Sequence, residues 1–183
     1  FSANQHSTPP SYPYYFIGDF EDYRSRRIYD RLNATQSATL DSMKSIQLDN
    51  FSQRAADVLP TMLRLLDRNA LNQEEKQMVD QLAAWNYRYD ADLLAPTLFD
   101  AWIDSCYTLT WDEMDEIRKT KKPILYPDGW RWIEIMQTDS ASVFFDIKET
   151  PQKETANDIV LESFKQMEDF FNKNLGKKQT WAN

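Results

Sequence analysis

Apolar residues recur at three- and four-residue spacing over most of this chain, the pattern of helices that bury one face. From about Phe51 to Leu66 the positions Ala55, Leu59, Met62, Leu63 and Leu66 make one wide apolar face, with Pro60 expected to kink or split the helix. Asn72-Gln73-Glu74-Glu75 reads as a capping box, opening a helix that carries Met78, Val79, Leu82 and Trp85 on one side. A further helix is predicted from about Ala95 to Tyr107, burying Leu98, Phe99, Trp102 and Ile103, and another from Thr110-Trp111-Asp112-Glu113 to about Lys119. Near the end, Thr155 and Asp158 bound a helix with Val160, Phe164, Met167, Phe171 and Leu175 on one face and Gly176 as its stop.

The first part of the chain is patterned differently. Residues 1 to 19 carry Pro9, Pro10 and Pro13, which exclude helix and central strand, so an extended arm is expected. Tyr12, Tyr14, Tyr15 and Phe16 should grip a surface, since large aromatics without periodicity need a partner to bury against. Asp19 is the expected cap of a helix from about Phe20 to Leu32, and Thr39 that of a short one from Leu40 to Ser45. Trp85 to Asp90 reads as a turn and Lys121 to Trp130 as a loop. Gly129 to Gln137 fits a short helix about as well as a strand. The pattern therefore predicts at least six helices and little or no sheet.

Composition narrows the function. The 183 residues are 42% hydrophobic and 14% aromatic, a folding composition long enough for a core. Three glycines are too few for phosphate-wrapping loops and many hairpins, and a net charge of −8 disfavours nucleic acid. Cys106 is the one cysteine, set among apolar helix positions, where a buried inert thiol is expected. One cysteine and one histidine do not make a zinc site, and no apolar run approaches the ~20 residues of a membrane span. No metal or other cofactor is implied.

Four landmarks stand in one order: Ser2-Ala3-Asn4-Gln5, the elbow Tyr12-Pro13-Tyr14-Tyr15, the helix start Tyr23-Arg24-Ser25-Arg26-Arg27-Ile28, and Gln47-Leu48-Asp49 continuing through Ser52, Arg54 and Ala55 to Leu59-Pro60. In these the chain resembles the middle of the large chain of the penicillin acylase family, N-terminal-nucleophile amide hydrolases, most clearly over residues 2 to about 104. The family's W-D-G-like turn has its counterpart at Trp85-Asn86-Tyr87, without the glycine. The resemblance implies a mainly α, irregular multi-helix domain (residues 20–183) behind the arm (1–19), an excerpt of a larger αββα enzyme. Its nucleophile would be a serine at the start of the family's large chain, whereas this chain begins with Phe1. The partners implied are the remainder of the parent enzyme, meaning its nucleophile-bearing part and small chain, and a small-molecule acyl amide. Neither nucleic acid nor membrane is implied as a partner, and the location implied is periplasmic or secreted.

The resemblance also assigns site residues. Asn4 matches the asparagine whose side-chain amide donates to the oxyanion of the tetrahedral intermediate, with Gln5 replacing a second asparagine. By its residues alone, Asn4 is a polar position in an exposed arm. Arg24 matches an arginine close to the active site, able to fix the orientation of that amide or to meet a substrate carboxylate. Arg26 and Arg27 compete for this assignment, and a salt-bridging role with Glu21 or Asp22 is equally open to each. Other chemistry is weaker. His6 has no orienting carboxylate nearby, and Glu74-Glu75 and Asp112-Glu113 suit the first turns of helices. The aromatics Trp130, Trp132, Phe144 and Phe145 could line an acyl pocket but fit a packed core, or an interface with the rest of the parent enzyme, better. Asn33-Ala34-Thr35 and Asn50-Phe51-Ser52 match the glycosylation sequon. The competing function is a free-standing helical interaction module, and for it the arm should fold onto the chain's own helices.

Overall fold

Pairing apolar helix faces buries this composition, and the two longest helices supply the main pair. The computed structural model describes residues 11–14, 21–174 and 180–181. Eight α-helices lie among the described residues: α1 Tyr23–Asn33, α2 Leu40–Gln47, α3 Gln53–Leu65, α4 Gln73–Ala83, α5 Ala95–Thr110, α6 Asp112–Lys119, α7 Gly129–Thr138 and α8 Ala156–Asn174. The fold is mainly α, as expected, with no strand among the described residues and one isolated antiparallel bridge between Phe51 and Arg88.

The core is built where α5 packs along α8, with α3, α4 and α7 closing around the pair. Trp102 of α5 is fully buried, its ring edge-on to Phe164 of α8 at 4.9 Å. Its Nε1 donates to the Val160 carbonyl at 3.1 Å and to Ser163 Oγ at 3.2 Å, so the indole enters the core with its polar atom satisfied. Trp132 of α7 is treated alike, donating to Thr110 Oγ1 at 2.9 Å. Of the four aromatics named above, Trp132 and Phe145 are buried in the core, while Phe144 is 39% exposed against Trp111 and Trp130 is partly exposed beneath Arg131. Asn157 Nδ2, in the first turn of α8, donates to the Leu65 carbonyl at the end of α3 and so joins two helix termini. Cys106 is fully enclosed, and burial pushes its thiol up to about 12, so it is inert.

Local signals account for most boundaries. Thr39 and Asn72 close full capping boxes on α2 and α4. At α8 the Thr155 N–H and hydroxyl both donate to Asp158 Oδ2, at 2.9 and 2.6 Å. Gly129 to Gln137 resolves as helix, Ile133 and Met136 reaching the core beside Trp132. Pro60 does not split α3, which runs unbroken with Leu59 and Thr61 buried on either side. Pro60 is exposed, so the bond it cannot make to the Ala56 carbonyl lies on a face that water reaches. The first helix begins at Tyr23, later than expected, with Asp22 at the cap position but no side-chain cap bond, because Arg26 Nε engages that carboxylate at 2.9 Å. Asp19, Tyr15, Phe16, Leu175 and Gly176 lie outside the described residues. Tyr12 and Tyr14, expected to grip a surface, are 46% and 73% exposed and pack edge-on against each other at 5.8 Å.

The Trp85–Asp90 turn is the junction between the bundle and the first helices. Ser52 N–H donates to the Tyr87 carbonyl at 2.8 Å, Tyr89 N–H to the Asn50 carbonyl at 3.0 Å, and Asn50 Nδ2 to Asp90 at 2.7 Å. That last bond occupies the amide of one glycosylation sequon. Tyr87 adopts φ 61°, a left-handed conformation that favours glycine. Edge-on contacts of its ring with Phe51 at 6.0 Å and Trp85 at 5.8 Å offset that strain.

Candidate functional site

The sequence Tyr23-Arg24-Ser25-Arg26-Arg27-Ile28 puts three guanidiniums on the first turns of α1, and helical spacing sends them in different directions. Arg26 is held between Asp22, four residues back, and Asp57 of α3, which also accepts from Gln53 Nε2 at 2.9 Å. Burial disfavours the Arg26 charge, but hydrogen bonds to Asp57 and Asp22 outweigh it and raise its pKa. Arg27 lies over the Phe51 ring at 4.1 Å and donates through Nε to Asp49 Oδ2 at 2.6 Å. Arg24 is exposed and makes no hydrogen bond or ion pair with another described residue. Tyr23 beside it is pushed up to about 12 by burial and by the charges of Glu21 and Asp57, so it stays a neutral donor.

Asp49, between α2 and α3, is the electrostatic hub of this region. Its side chain is 7% exposed. Three arginines from two separate stretches converge on it: Arg27, Arg31 Nε at 3.7 Å, and Arg88 Nη1 at 3.1 Å from the Trp85–Asp90 turn. Burial raises its pKa, but the hydrogen bond and charge of Arg27, the backbone N–H of Phe51 and the charge of Arg31 hold it below the usual carboxylate range. A second carboxylate, Asp100 of α5, accepts from Tyr89 Oη at 2.8 Å and Arg54 Nη2 at 3.1 Å. Burial and the Asp100 charge raise the Tyr89 pKa, keeping the phenol protonated.

Because the folded Asp49 pKa is depressed, its contribution to stability is present above the unfolded carboxylate value near 3.9 and lost as pH falls through the folded value. Asp49→Asn is therefore expected to cost about 2–3 kcal/mol at neutral pH, the buried ion-pair figure discounted for the partly exposed arginines. It is also expected to flatten the loss of stability below pH ~4. Urea unfolding at pH 7 and at pH 3 checks both. Equal effects at the two pH values would show that Asp49 acts through packing.

A groove of about 680 Å³ runs between α1, α2 and the start of α3, with Arg24, Arg27, Arg31, Asp49 and Phe51 in its lining. The candidate residue Arg24 thus stands at an open cavity, while Arg26 and Arg27 are engaged in ion pairs. Asn4 and His6 lie outside the described residues. The role of Asp49 was missed in the sequence, although it sits inside the Gln47-Leu48-Asp49 landmark. Its partners lie 22 and 39 positions away, and the one available signal was an aspartate following an arginine-rich helix. No group of three or more His, Cys, Asp or Glu suited to a metal is found among the described residues, and no helix among them is long and apolar enough to cross a membrane.

No curated protein and no solved structure matches this chain. The family model for penicillin amidase does match, from residue 1 to residue 183. The whole chain is covered, including the part beyond residue 104 where the resemblance is less clear. By that match the chain belongs to the penicillin amidase family.

Proposed function

We propose that this chain is part of an acylase-type amide hydrolase that works through a serine acyl-enzyme. The full-length family match carries the reading. In the reaction that membership suggests, a serine at the start of the family's large chain attacks the amide carbonyl and its own α-amino group takes the hydroxyl proton. The tetrahedral oxyanion collapses, the C–N bond breaks, and the amine leaves with that proton. Water then attacks the acyl ester and releases the carboxylic acid. In this scheme Asn4 donates its side-chain N–H to the oxyanion, where a fixed uncharged donor stabilises the developing charge. Arg24, at the mouth of the groove, orients that amide or meets a substrate carboxylate, and the helices form a wall over the cleft. The substrate class is penicillin-like or other N-acyl compounds, and the location is periplasmic or secreted.

The exposure of Tyr12 and Tyr14 supports this reading over a free-standing interaction module, which would fold them onto its own helices. The 183-residue chain alone is expected to be inert toward a chromogenic acyl amide, and the enzyme bearing the nucleophile to be active. Turnover by the purified chain, retained through repurification, would place the nucleophile within these residues and end the proposal.

A further inference from the structure

We propose that the loop between α6 and α7 is a contact surface for an anionic lipid membrane, with Leu125 as its inserting tip. Between Ile117 and Pro127 stand Arg118, Lys119, Lys121 and Lys122 and no carboxylate, in a chain whose net charge is −8. All four cations are exposed. In the same stretch Leu125 is 94% exposed and Ile117 44%. Apolar side chains held in water among ammonium groups are the composition of a peripheral membrane contact.

The local structure holds this tip in place. Helix α6 ends at Lys119, where Arg118 and Lys119 suit the negative pole of the helix. Lys121 then takes φ 59°, its N–H donating to the Arg118 carbonyl at 3.0 Å, and the chain turns out of the helix. Pro123 and Pro127 keep the following stretch from continuing as helix. At its far end the Tyr107 hydroxyl of α5 donates to the Pro127 carbonyl, and α7 starts at Gly129. The loop is thus tied at both ends, with Leu125 between them. Lysines are depleted in the dry centre of protein interfaces, because covering them strips their water. A headgroup layer leaves ammonium groups wet while the leucine enters the acyl boundary, so lipid fits this mixture better than a protein partner. The acidic remainder of the chain is repelled by an anionic surface, which orients the contact on this loop. The contact is independent of the hydrolase reading, since vesicle binding requires no bond cleavage.

The experiment co-sediments the 183-residue chain with vesicles of phosphatidylcholine alone and of phosphatidylcholine mixed with phosphatidylglycerol, at low and at high salt. Binding to the anionic vesicles is expected to be at least about tenfold stronger than to the neutral ones, and to fall about tenfold at high salt. The double variant Lys121→Glu, Lys122→Glu should weaken it about tenfold or more, and Leu125→Ser about fivefold. These three side chains are exposed, so both variants are expected to keep the parent circular dichroism. Lys44→Gln, at an exposed position on α2, should leave binding unchanged. Equal binding to neutral vesicles, wild-type binding by either loop variant, or an equal loss in Lys44→Gln overturns the proposal. Capture by polyglutamate as tight as by anionic vesicles also overturns it, in favour of an acidic protein partner.

Discussion

Replacing Asn4 by alanine in the intact enzyme is expected to lower kcat about 100- to 1,000-fold with little change in KM. The asymmetry follows from what an oxyanion donor does. The carbonyl oxygen carries little charge in the bound substrate and nearly a full charge in the tetrahedral intermediate, so the N–H bond strengthens along the reaction and its loss appears in kcat. Asn4→Asp is expected to be at least as damaging, because it puts an acceptor with negative charge where a donor is needed. Steady-state kinetics on a chromogenic amide make the measurement, with circular dichroism to show that the fold is intact. A fall of kcat by less than about threefold would remove Asn4 from the oxyanion site, since even one donor of this kind is worth far more.

Trp102→Ala is expected to destabilise the chain by about 3–5 kcal/mol, the range for truncating a large aromatic in a closed core. Trp102 is fully buried at the contact between α5 and α8 and reaches the Val160 carbonyl and Ser163 across it. Truncation loses the ring contact with Phe164 and opens a cavity between the two helices that hold most of the core. Trp102→Phe keeps most of the volume but drops the indole donor, and should cost about 1–2 kcal/mol. Chemical denaturation monitored by circular dichroism separates the two. Similar values for both variants would mean that the donor, and not the volume, sets the strength of this contact.

The helices that sequence reasoning located best are those whose signals are local. Thr39 and Asn72 announce their helices within four residues, and Leu98, Phe99, Trp102 and Ile103 mark the buried side of α5 by spacing alone. Where tertiary contacts decide, the same reasoning was less exact. Arg26 draws the Asp22 side chain away from the backbone, so α1 has no side-chain cap. Pro60 is tolerated because it faces outward, which composition does not reveal. Tyr87 holds a left-handed conformation because Phe51, far away in sequence, completes its packing. Arg24 is picked out by its landmark and lines the groove, but the gathering of Arg27, Arg31 and Arg88 on Asp49 was not legible. It depends on a turn and a helix brought together by folding, and periodicity carries no trace of such a meeting.

Helices α1 and α2 contribute no apolar residue to the fully buried core; Ser25 is the one buried residue in α1, and α2 has none. Their attachment therefore depends mainly on guanidinium–carboxylate pairs that are partly open to solvent. Added electrolyte acts on the two parts of the molecule unequally. It screens the pairs that fasten these two helices, while the greasy contacts between α5 and α8 are left intact or strengthened. The end of the chain that carries α1 and α2 is thus tuned by ionic surroundings, and the α5–α8 scaffold behind it is not.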